Sequence, residues 1–113
     1  MNQSVLLAAA IELAAIAHKG QVDKLGEMYL AHPLRVMLRL REQGHRVEVQ
    51  AAGALHDTLE DTPTTLEDLT TLSPDVAALV NAVTRQPGEP YEVFIRRAAE
   101  HPEARAIKGG RRG

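Results

Sequence analysis

The chain has no cysteine, which excludes disulfide bonds, thiolate nucleophiles and cysteine-ligated metals. Aromatic residues are scarce too, 3% against 44% hydrophobic, so a core must be built from Leu, Val, Ile and Ala, a mixture suited to packed helices. Neither sign of charge is in excess. The net value of −2 offers no general electrostatic footing for nucleic acid or an anionic membrane. The apolar run Val5 to Ile11 is not preceded by Lys or Arg, is interrupted by Glu12 and is too short to cross a bilayer, so it reads as a buried helix rather than a leader or a span. A length of 113 residues suits one domain with one modest core. The missing cysteines are compatible with a cytoplasmic location.

What is present is helical punctuation. From about Ser4 to His18 nearly every position is apolar, which predicts a first helix covered on most sides and central to the packing. Gly20 breaks it, and Lys19 to Tyr29 reads as an irregular loop. His32-Pro33 opens a second helix, with Leu34, Met37 and Leu38 as its apolar stripe and Arg35, Arg39 and Arg41 off it; Gly44 ends it. A third helix is expected over about Val47–Leu59. Thr64 and Glu67 have capping-box spacing for a short fourth through Leu66, Leu69 and Leu72. Ser73-Pro74 starts a fifth, whose Val76, Leu79, Val80 and Val83 form the cleanest amphipathic stripe. After the loop Gln86–Pro90, a sixth helix turns Tyr91, Phe94, Ile95 and Ala98 inward and Arg96, Arg97 and Glu100 outward. Pro102 begins a seventh that reaches Lys108. The expectation is an all-α domain over residues 1–108 and a flexible tail over 109–113.

The chemistry concentrates in Leu55-His56-Asp57-Thr58-Leu59-Glu60-Asp61. On one continuous helix, His56, Asp57, Glu60 and Asp61 would share an arc of about 140°, with Leu55 and Leu59 pointing away. One imidazole and three carboxylates on one face repel and resist burial unless a cation compensates. Gly53, on the same face, leaves room for a ligand or a second backbone. A solvated acidic helix end with a fortuitous histidine is the alternative. Of the other histidines, His45 and His101 suit surface or capping roles, and His18 suits the carbonyls ending a buried helix. His32 opens a helix that could converge on His56 and Asp57, and two imidazoles with a carboxylate suit Mn²⁺, Fe²⁺, Zn²⁺ or a similar ion. Such an ion activates water and polarises a phosphoryl oxygen, leaving Glu60 and Asp61 as acid/base groups. Lys19, Lys24 and Arg35 could neutralise phosphate, although solvation is preferred for Lys19.

The succession Ala17-His18-Lys19-Gly20-Gln21, Asp23-Lys24, Gly26-Glu27-Met28-Tyr29-Leu30, His32-Pro33-Leu34, Leu55 to Thr62 and Val83-Thr84-Arg85 resembles the HD-domain (p)ppGpp hydrolases, both the hydrolase halves of RelA/SpoT homologues and the small stand-alone enzymes. The likeness runs in order from the first helix to Lys108. It implies an HD-domain helical bundle of about six or seven helices, with His32, His56 and Asp57 binding Mn²⁺ and Glu60 and Asp61 serving the catalytic step. It also implies Lys24 beside the guanine base and His18 supporting the site without binding metal. The implied reaction is attack by a metal-activated water on the 3′-pyrophosphate of (p)ppGpp, giving GDP or GTP and pyrophosphate. A homo-oligomer is compatible with the resemblance.

The chain departs from the family pattern in three respects. Asp23 stands where long bifunctional members usually have Arg, and Met28 replaces a frequent Pro. After Ile107-Lys108 the family continues Leu-Ala-Asp, whose Asp is a fourth metal ligand followed by a nucleotide-holding Asn; here Gly109, Gly110 and Arg111 occupy those places. Loss of that carboxylate and of the family's last helices predicts weakened metal binding and uncovered apolar faces. The competing expectations are a catalytically silent HD remnant that binds nucleotide or a protein partner, and an HD phosphohydrolase for another nucleotide such as NADPH.

Overall fold

Side-chain caps and prolines set several of the helix starts. Asn2 accepts the Val5 N–H and begins α1 (Gln3–Ala17). Helix α2 (Ala31–Glu42) carries Pro33 in its first turn and is followed by Gly44, whose φ of 83° is the left-handed conformation that glycine adopts without strain. Then come α3 (Val47–Leu55) and the single turn α4 (Thr58–Asp61). Thr65 and Asp68 form a reciprocal capping box at the start of α5 (Leu66–Leu72), and Ser73 with Pro74 starts α6 (Pro74–Ala82). Helices α7 (Tyr91–Ala99) and α8 (Pro102–Gly109) complete the fold. This is the computed structural model of the protein, and it describes residues 2–109. It is all-α; among the described residues the one extended pairing is an isolated bridge between Val22 and Met28.

Helix α3 is the hub. Every residue from Val49 to Leu55 is buried, and α1, α2, α6 and α8 all pack on it. Small residues make this possible. A methyl group on Gly53 would lie 2.6 Å from Leu40 Cδ1 and 3.5 Å from the Met37 backbone, so α2 passes directly over this point. Leu40, Leu55, Val49, Val80 and Ile107 belong to the buried core, and truncating one such buried leucine to alanine costs about 2–5 kcal/mol. At the rim Arg46 joins three helices, with two N–H···O bonds of 2.8 Å to Glu103 on α8 and two more to Asp75 on α6. Its side chain is 41% exposed, so the clasp orients the helices more than it stabilises them.

Several expectations need correction. Helix α1 is not covered on most sides: Leu6, Ala10, Ala14 and His18 are buried at four-residue spacing, whereas Val5 and Ile16 face solvent, and α3 holds the central place. On α2 the buried positions are Pro33, Met37 and Leu40, and Leu38 points outward. The capping box lies one residue later than Thr64 and Glu67. Leu66, Tyr91 and Ile95 are exposed, and Arg97 folds back onto Glu89 instead of facing solvent. The third helix ends at Leu55, not Leu59. Helix α8 includes Gly109, while Gly110 and Arg111, the latter in the place of the family's fourth carboxylate, lie outside the described residues.

Candidate metal centre

The break between α3 and α4 creates the site. His56 and Asp57 sit at an elbow, Thr58 is buried, and its hydroxyl donates at 2.7 Å to the Leu55 carbonyl, satisfying a group that the interrupted helix leaves free. His56 and Asp57 keep right-handed backbone angles, and the Asp61 N–H donates to the Asp57 carbonyl at 3.0 Å, so Glu60 and Asp61 follow within one turn of them. At this bend His56 and Asp57 stand beside His32 in the first turn of α2.

His32, His56 and Asp57 offer ligand atoms that all lie within 4.8 Å of one another. His56 Nδ1 is 2.7 Å from the Gly53 carbonyl; a carbonyl only accepts, so Nδ1 carries a proton and, in the neutral ring, Nε2 keeps its lone pair. That lone pair stands 3.2 Å from Asp57 Oδ2, and His32 Nε2 is 3.7 Å from the same oxygen. Electron-rich atoms in this arrangement repel unless a proton or a cation lies between them. Partial burial, and then the neighbouring His56, lower the pKa of His32, favouring the neutral imidazole that a metal requires. Two imidazole nitrogens with a preset tautomer and one carboxylate oxygen fit a divalent transition metal.

The surroundings add groups that sequence reasoning missed. The Tyr29 hydroxyl donates to Asp57 Oδ2, and its pKa is pushed well up, first by burial and then by that carboxylate. Tyr29 precedes His32 by three residues, a spacing that places neighbours together in a helical turn. Arg39 lies two turns after His32 on the same face of α2, a signal legible in the numbering. Its guanidinium donates to the Ala106 and Ile107 carbonyls at 2.7 and 3.2 Å, near the C-terminus of α8. Together with Val36, Ile107 and Lys108 these residues enclose the three-residue cluster in a cleft of about 380 Å³.

The remaining site candidates are distributed around it. His18 is buried, its ring 5.1 Å from that of Tyr29, and the sequence Tyr29, His32, His56 continues at 5.7 and 5.3 Å between ring centroids. Glu60 is exposed and lines a separate cleft of about 480 Å³ with Asn81, Arg85 and Gln86. The Asp61 side chain is exposed, and its carbonyl accepts from Gln21. Lys24 is exposed in the α1–α2 loop and lines neither cleft. His101 does cap, accepting the Ala104 N–H.

Residues 10–108 match the HD domain family. The chain belongs to that family. This HD domain is 40% identical over 108 residues to a guanosine-3′,5′-bis(diphosphate) 3′-pyrophosphohydrolase from Aquifex aeolicus (strain VF5), an alignment covering 88% of this chain and 16% of the relative. It is 40% identical over 85 residues to the bifunctional (p)ppGpp synthase/hydrolase SpoT of Escherichia coli (strain K12), covering 74% of this chain and 12% of that one. The chain thus spans less than a fifth of either relative. A solved structure described as a metazoan ortholog of SpoT that hydrolyses ppGpp superposes with a TM-score of 0.81 at 29% identity, covering 96% of this chain and 66% of the other. No helix among the described residues is long and apolar enough to cross a membrane.

Proposed function

We propose that this HD domain is a cytoplasmic, divalent-metal-dependent phosphohydrolase that cleaves the 3′-pyrophosphate from ppGpp or pppGpp, leaving GDP or GTP. The observation that carries the reading is the convergence of His32 Nε2, His56 Nε2 and Asp57 Oδ2, with the His56 tautomer preset by Gly53. These three residues would hold the ion, with Mn²⁺ as the assigned metal. When bound, the ion supplies positive charge at a phosphoryl oxygen and lowers the pKa of a coordinated water.

The chain's own groups do the rest. Tyr29 holds the Asp57 carboxylate in place through its hydroxyl hydrogen bond. Arg39 and Lys108, on the walls of the metal-side cleft, counter phosphate charge. Glu60 and Asp61, on the turn that follows the elbow, are the carboxylates assigned to take up and return the proton. Lys24 is assigned to the guanine base, and His18 supports Tyr29 from behind. The names of the relatives support the choice of substrate.

A substrate panel tests the assignment. With Mn²⁺ present, ppGpp should be hydrolysed in preference to NADPH and deoxynucleoside triphosphates, and a preference for NADPH or a deoxynucleotide would overturn it.

A further inference from the structure

The side-chain amide of Gln21 lies between the His18 ring and the last residue of α4. Its Nε2 donates to the Asp61 carbonyl at 3.0 Å, and its Oε1 lies 2.8 Å from His18 Nδ1. Because the Asp61 carbonyl only accepts, the amide NH₂ must face it; Oε1 then faces His18, which must carry its proton on Nδ1. The backbone of Gln21 is tied as well. Its N–H donates to the His18 carbonyl at 3.0 Å, and its carbonyl accepts the Tyr29 N–H at 2.9 Å. The loop is thereby fastened to both sides of the elbow, to Asp57 through the Tyr29 hydroxyl and to Asp61 through Gln21.

Helix α4 has four residues and is set off from α3 by the turn at His56 and Asp57. So short a helix has little stability of its own; Thr58 and Leu59 hold its near end against the core, and Gln21 reaches its last residue. We propose that Gln21 is a positioning residue for Glu60 and Asp61: by tying the Asp61 carbonyl to the buried His18 ring, it sets where the acidic pair stands relative to His56 and Asp57. The proposal rests on the phosphohydrolase reading for its kinetic consequence, since misplacing a catalytic group by about 1 Å can cost on the order of 10²-fold in rate.

Two variants of the full chain test it. Gln21→Met keeps the length and removes both side-chain hydrogen bonds; Gln21→Glu keeps an acceptor for His18 and removes the donor to Asp61. In amide ¹H–¹⁵N spectra, the signals of Glu60, Asp61 and Thr62 should move or broaden in both variants while those of Gly53 to Leu55 stay. Mn²⁺ affinity and KM for ppGpp should hold while kcat falls by about 10-fold or more. Unchanged α4 signals would overturn the proposal, as would a loss of metal affinity, KM and melting temperature in step with kcat, the pattern of general structural damage. Should the unaltered chain bind Mn²⁺ yet leave ppGpp intact, the phosphohydrolase reading alone fails, and the spectra still decide whether Gln21 holds α4.

Discussion

Tyr29 donates its hydroxyl hydrogen bond to Asp57, bringing the α1–α2 loop onto the same carboxylate oxygen that faces His32 and His56. A partner of this kind fixes a ligand's orientation, and its loss commonly costs about 10-fold or more in metal affinity. Tyr29→Phe should therefore weaken Mn²⁺ binding by about 10-fold in a calorimetric titration. Its effect on folding should be near the ~1 kcal/mol of one hydrogen bond. Unaltered affinity would remove Tyr29 from the site.

Gly53→Ala tests the crossing of α2 over α3. Alanine gains about 1 kcal/mol of helix propensity over glycine, but its methyl would lie 2.6 Å from the fully buried Leu40 side chain, and overpacking of this kind costs about 1–3 kcal/mol. The expected sum is a net loss of about 1 kcal/mol in urea unfolding. A more stable variant would mean that Leu40 moves aside freely.

Acid should loosen the α6–α7 connection. Arg97 donates two hydrogen bonds of 2.9 Å to the Glu89 carboxylate and the Gln86 N–H adds a third, holding its pKa down at about 2. The folded value lies below the ordinary 4.5, so the contribution is fully present above about 4.5 and is lost as pH falls through about 2. Urea unfolding of the wild type and Glu89→Gln should show a stability difference that shrinks between pH 6 and pH 3. A difference that grows on acidification would contradict the assignment.

Much of this was legible in the sequence, and the rest had physical reasons for being hidden. The stripe Val76, Leu79, Val80, Val83 and the Ser73-Pro74 start were readable because local periodicity and capping act within one helix. His32 could be paired with His56 and Asp57 from residue chemistry alone. Periodicity could not foresee the elbow at His56-Asp57, since Thr58 supplies the replacement hydrogen bond with its side chain and the local pattern stays helical. Nor could it rank α1 below α3, because its alanines are equally tolerated inside and outside. The capping box lay one residue off because Thr64 and Thr65 both have an acidic residue three positions later.

The roles within the cluster separate by mutation. His56→Ala and Asp57→Ala should each abolish Mn²⁺ retention together with turnover. Glu60→Gln should keep the metal and lose rate by about 10²-fold, the scale of a general acid/base contribution. Equal turnover in all three variants would contradict the mechanism.

The most direct measurement is the release of pyrophosphate from ppGpp by the purified chain with Mn²⁺, with and without a chelator, and with Asp57→Ala as the blank. The expected result is one pyrophosphate and one GDP per ppGpp, abolished by the chelator and absent in the variant. A chain that binds Mn²⁺ and ppGpp but releases no pyrophosphate would contradict the assigned hydrolysis and identify an HD domain that binds its nucleotide without cleaving it.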